Sequence, residues 1–148
     1  MNTTSQALAA AHAEVKTEIA RTDTKTGLLL AFVGAVLAGT WTVAKDLPLN
    51  TAALTVGGTG MFLLVAAAGL LLRSVRPNLG GGRGFPLWAT LTAEQITTAL
   101  NEDVGADIAG LSRIAVVKFT DLKRAVDLTC AGGLLLIVAV VIAVGGAA

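Results

Sequence analysis

The chain has 148 residues, 54% of them hydrophobic and 14% charged, with a formal net charge of +1. Charged residues make up about 25% of an ordinary soluble domain, so this composition argues against a water-soluble globule, and the near-neutral balance argues against a nucleic-acid partner. One histidine, one cysteine and no tyrosine leave too few groups for a nucleophile–base pair or a cysteine-rich metal site, so neither an enzyme nor a metal or other cofactor is expected.

Residues 5–26 contain no proline or glycine and are rich in alanine. Leu8, Ala11, Val15, Ile19 and Thr22 fall on one stripe at helical spacing, which predicts a helix. An uncharged, 18-residue run from Gly27 to Ala44 follows directly. It would cover about 27 Å as a helix, enough to cross most of a hydrocarbon core. Nothing interrupts the chain between the two segments, so one helix is expected from about residue 5 to 44. A cleaved signal peptide does not fit, because Glu14, Glu18 and Asp23 make the preceding segment too long and too acidic for such a leader.

The link "KDLPLNT" leads to a second apolar run, 52–72. After it, Pro77, Pro86 and the glycines of "RSVRPNLGGGRGFPLW" predict a loop. In "TAEQ", Thr92 as N-cap and Gln95 three residues on form a capping-box pattern. Ile96, Leu100, Val104, Ile108, Leu111, Ala115, Phe119, Leu122 and Val126 then recur every three or four residues, a helical stripe that Gly105 and Gly110 weaken near "NEDVGAD". It runs into a third apolar stretch, 128–148. The fold expected is therefore an all-α membrane protein of a single domain, 1–148. It has three transmembrane helices at 27–44, 52–72 and 128–148. A cytoplasmic helix at 5–26 and cytoplasmic loop and helices at 73–127 extend into the cytosol as a helical bundle, where their two apolar stripes bury each other.

Orientation follows from the basic residues. Lys16, Arg21 and Lys25 precede the first span, and Arg73, Arg76, Arg83, Arg113, Lys118, Lys123 and Arg124 lie between the second and third. Lys45 alone lies in the short link. Positive charge concentrates on the cytoplasmic side, so the N-terminus and 73–127 are expected inside a bacterial cell membrane, and the C-terminus outside.

Charged residues gather where the long helices meet lipid. Lys118/Asp121, Asp127 with Lys123 and Arg124, and Glu18/Arg21 are spaced for pairing along a helix. Such residues commonly serve as interfacial anchors. The alternative is a network of Asp23, Lys25, Lys118, Asp121, Arg124 and Asp127 that joins two helices and holds one state closed. "GGGRG" around Arg83 is a flexible loop or an anion nest. Arg76, Arg83 and Arg113, with Trp88 or Phe85 to stack on a base, are the candidate ligands for an anion. His12 suits a stripe or surface position, and Cys130 a small apolar filler. Gly34/Ala38, Ala53/Gly57 and Ala139/Ala143/Ala147 are small residues four apart that permit close helix packing. The spans contain no ionisable group, which argues against a proton-coupled transporter.

Three stretches together resemble a known family. "RTDTKTGLLLAFVGAVLAG", "LRSVRPNLGGGRGFPLWATLTAEQI" and "IAGLSRIAVVKFTDLKRAVDL" are similar, in order and spacing, to segments of the Pycsar-type transmembrane effectors of bacterial antiphage defence. Asp23, Lys25, Arg76, Pro77, Ser112 and Lys118 match the family pattern. The resemblance implies an effector that impairs the inner membrane in response to cyclic CMP or cyclic UMP made by a neighbouring cyclase. The ligand is then expected in the helical cytoplasmic part, and the protein is expected to work in the bilayer as a homo-oligomer. A structural membrane adaptor that anchors a soluble partner, or a transporter accessory subunit, are the alternatives.

Overall fold

The computed structural model describes residues 3–46, 50–76, 89–93, 95 and 104–146. Among them are three long helices: α1, Thr3–Ala44; α2, Thr51–Val75; and α3, Val104–Gly145. All three are long and apolar enough to cross a membrane. The uninterrupted first helix expected from the sequence is present, and α3 passes through Gly110 without a break. The start of the stripe expected at Ile96 and Leu100 lies outside the described residues. At 1.5 Å per residue, the 42 residues of α1 and of α3 each measure about 63 Å, twice a hydrocarbon core of ~30 Å.

The chain divides into two compact units. One comprises Met1–Asp23 and Arg76–Phe119, the other Thr24–Val75 and Thr120–Ala148. The second unit contains the three apolar segments. In α2 the buried residues are Ala53, Gly60, Leu64, Ala67, Leu71 and Ser74, spaced by fours, threes and sevens. Ala125, Thr129, Gly132, Ala139 and Ala143 of α3 repeat that spacing. This is a heptad seam, the pattern of helices crossing at a shallow left-handed angle. Ala67, Leu71 and Ala125 form its core, with Leu29, Leu30, Leu70, Leu122 and Leu128 packed around them.

The tightest point of the seam is a pair of glycines. A Cβ on Gly60 would lie 2.8 Å from the Gly132 carbonyl oxygen, and one on Gly132 would lie 2.9 Å from that of Gly60. Each backbone therefore occupies the space a side chain would need at the other, which only glycine allows. Further along, Gly57 faces Ala139. The small residues Ala53/Gly57 and Ala139/Ala143 thus lie on the seam as their spacing suggested. Gly34 and Ala38 do not: both are exposed, and nothing approaches within 4 Å of a Cβ at Gly34. Ala147 lies outside the described residues.

The register of α3 also differs from the expected stripe. Phe119 and Val126 are 42% and 41% exposed, while Ala125 is fully buried. Hydrophobicity alone does not single out the inward face here, because Ile114, Val116 and Val117 on the same stretch of α3 are large, apolar and exposed as well.

Asn50 starts α2. Its Oδ1 accepts a hydrogen bond from the Ala53 backbone N–H at 2.8 Å, an N-cap. Its Nδ2 lies against Gly146, at 2.6 Å from where a Cβ would be. Asn50→Ala should cost about 1 kcal/mol and lower the midpoint of denaturation in detergent. Asn50→Asp, which keeps the acceptor, should recover most of it.

Candidate functional site

The first unit contains an ion pair between distant parts of the chain. Lys118 of α3 donates from Nζ to Oδ1 of Asp23 on α1 at 2.5 Å. Lys118 stands seven residues before Ala125, so the heptad spacing points it inward. Its side chain is 21% exposed, against 43% for Asp23. A largely buried charged group carries a desolvation cost that a partner must offset, and the short contact is a charge-assisted hydrogen bond.

The residues around Asp23 are locally satisfied. Thr22 is buried, and its hydroxyl donates to the Glu18 carbonyl oxygen at 2.8 Å. Arg21 pairs with Glu18 at 2.8 Å, with side chains 66% and 42% exposed. Exposed pairs of this kind contribute little, about 0–1 kcal/mol. On α3, the Ser112 hydroxyl donates to the Ile108 carbonyl oxygen, a bond within its own helix. The capping box also forms: the Thr92 N–H donates to Gln95 Oε1 at 3.0 Å, and the Gln95 N–H to Thr92 Oγ1 at 3.4 Å.

The rest of the predicted charge network is not assembled in the same way. Lys118 turns to Asp23 rather than along its helix to Asp121. Lys25, Arg124 and Asp127 are exposed and Asp121 is half-buried. Among the described residues none of these four forms an ion pair, and neither does Lys123. Arg76 and Arg113 are both exposed. Arg83, Phe85 and Trp88 lie outside the described residues. The described residues hold no group of three or more His, Cys, Asp or Glu suited to a metal ion.

Two features went unread in the sequence. Asn50 had a usable signal, since Asn immediately before an apolar run is an N-cap pattern. Gly60 and Gly132 had none, because neither has a small residue four positions away and their contact depends on the register of α2 against α3.

No curated protein and no solved structure matches the chain. A family model does: the Pycsar effector protein domain matches residues 7–145. The match runs through all three helices and includes Asp23 and Lys118. The chain belongs to the Pycsar effector protein domain family.

Proposed function

We propose that this Pycsar effector is a cyclic-nucleotide-activated membrane protein of antiphage defence, which impairs the inner membrane when a partner cyclase supplies cyclic CMP or cyclic UMP. The observation that carries this reading is family membership across residues 7–145 in a chain whose three helices are each of membrane-spanning length. The N-terminus and residues 73–127 face the cytoplasm and the C-terminus faces out, following the placement of the basic residues.

The ligand is anionic, and Arg76, Arg83 and Arg113 are its candidate contacts, with Trp88 to stack on the base. Arg76 and Arg113 are exposed, and neither forms an ion pair among the described residues. Binding moves the protein only if one arrangement holds the nucleotide better than the other. The Asp23–Lys118 pair is the element biased by that preference, because it ties α1 to α3. Assembly into a homo-oligomer fits the outward apolar residues Ile114, Val116 and Val117, which are 50–64% exposed on the segment of α3 assigned to the cytoplasm.

The test is membrane potential in cells that carry an inducible cyclase. Depolarisation should follow induction. Removing one charge-assisted phosphate contact, worth about 1.5–3 kcal/mol, should raise the cyclase dose needed by about tenfold or more. If Arg76→Ala, Arg83→Ala and Arg113→Ala all leave the dose unchanged, the nucleotide is held elsewhere. If no cyclic pyrimidine nucleotide depolarises the cells, the activation mechanism is wrong.

A further inference from the structure

Beyond the glycine crossing, α1 leaves the seam that α2 and α3 continue to share. Val33 is fully buried, but no residue of α1 from Gly34 to Ala44 is, whereas Ala53, Ala139 and Ala143 remain buried between the other two helices. The separation opens a groove of about 690 Å³, within the range of small-ligand sites. Its walls include Gly39 and Trp41 of α1, Leu54 and Gly58 of α2, and Ile137 and Val140 of α3. Among the described lining residues only Thr40 and Trp41 carry a side-chain nitrogen or oxygen, so the wall is almost wholly apolar.

Its rim is different. Lys45 follows the last turn of α1, and its Nζ stands 5.7 Å from the centre of the Trp41 ring. The contact is a cation–π interaction that holds the ammonium beside a residue of the groove wall. Asp46 is adjacent and exposed, but among the described residues Lys45 forms no ion pair with it. A tryptophan and a lysine at the end of an apolar helix mark the headgroup level of a bilayer. An apolar groove inside the hydrocarbon with the Lys45 ammonium at headgroup level is complementary to a molecule that has an apolar chain joined to a phosphate.

We propose that the groove between α1 and the α2–α3 pair binds a glycerophospholipid, with one acyl chain against Gly39, Gly58 and Ile137 and its phosphate at Lys45. The lipid fills the space that α1 leaves and so supports the separated position of that helix. The proposal requires only that the helices span a bilayer, and it stands or falls independently of the nucleotide reading.

The test uses the full chain purified in mild detergent, with dioleoyl phosphatidylglycerol added and bound lipid counted by native mass spectrometry. The wild type should retain about one phospholipid per protomer. Nothing lies within 4 Å of a Cβ at Gly39 or Gly58, so side chains can start from both positions, and Gly39→Leu/Gly58→Leu should occupy the groove and abolish retention. Circular dichroism confirms that this variant keeps its helices. Lys45→Gln should weaken binding about fivefold, the effect of one basic residue at a membrane surface. Phosphatidylethanolamine, which shares the phosphate, should also bind, and dioleoylglycerol, which lacks it, should bind about fivefold more weakly. Equal retention by the filled and native chains would overturn the proposal. So would diacylglycerol binding as tightly as phospholipid, or disulfide cross-linking between copies through Gly58→Cys in a Cys130→Ala background, which would show that a second protomer occupies the groove.

Discussion

Gly60→Leu should separate α2 from α3 and give the largest loss of stability of any single substitution in the apolar unit. The obstacle at Gly60 is the Gly132 carbonyl oxygen, 2.8 Å from the position of an added Cβ, with Leu135 and Leu136 at 3.1 and 3.2 Å. A backbone carbonyl inside a helix cannot rotate away, so the helices must move apart. Even Gly60→Ala should cost about 1–3 kcal/mol through overpacking, against a gain of ~0.5–1 kcal/mol for replacing a helical glycine. Gly132→Ala should behave alike, since its Cβ would lie 2.9 Å from the Gly60 carbonyl oxygen. The double variant should cost less than the two singles together, because once the helices have separated the second methyl meets less resistance. Gly58→Ala and Gly69→Ala are the controls. Neither Cβ has a neighbour within 4 Å, so both should be neutral or stabilising. Denaturation midpoints in detergent for the four single variants check the ranking. A Gly60→Ala protein as stable as Gly58→Ala would show that the close crossing does not exist in the folded chain.

The contrast among these glycines explains which features were legible in the sequence. The existence, order and continuity of the helices follow from uninterrupted apolar runs and from the lack of proline between residues 5 and 44. The capping box at Thr92 and Gln95 is likewise local, because four consecutive residues supply both halves of it. Which face of each helix turns inward is another matter. An apolar stripe is ordinarily the buried face, and that logic places Phe119 and Val126 inside, but Ile114, Val116 and Val117 make this stretch of α3 apolar on its outward side too. In lipid, large apolar residues suit either side, and close approach goes to the smallest residues. Gly34 and Gly60 are indistinguishable by composition, yet one is open and the other is jammed against a backbone. The spatial relation of α2 to α3 decides between them, and no local pattern carries that relation. The charged collar falls between these cases. Its members are visible in the sequence, but Lys118 has Asp121 within reach along its own helix and Asp23 across 95 positions. It takes the distant one because its heptad position faces inward.

Breaking that distant contact should change the response to the trigger more than it changes stability. Asp23→Ala leaves the Lys118 ammonium, whose side chain is only 21% exposed, without its partner. A fully buried pair loses about 3–5 kcal/mol when one member is removed, but Lys118 can extend its flexible stem toward water, so the expected cost is ~1–2 kcal/mol. Lys118→Met should cost less, below about 1 kcal/mol, because Asp23 is already 43% exposed and can be solvated, while Met places an apolar side chain at a largely buried position. Both variants remove the tie between α1 and α3. If the pair belongs to the resting arrangement, each kcal/mol it contributes there favours rest over activity by about fivefold. Asp23→Ala and Lys118→Met should then depolarise cells at a cyclase dose about fivefold or more below that of the native protein, although their stabilities differ. The reversed pair, Asp23→Lys with Lys118→Asp, should move the dose back toward native, because attraction is restored with the signs exchanged. Measured dose–response curves that shift the other way would place the pair in the active arrangement. Curves that do not shift, alongside a normal response of the native chain, would make Asp23 and Lys118 a structural clasp with no part in switching.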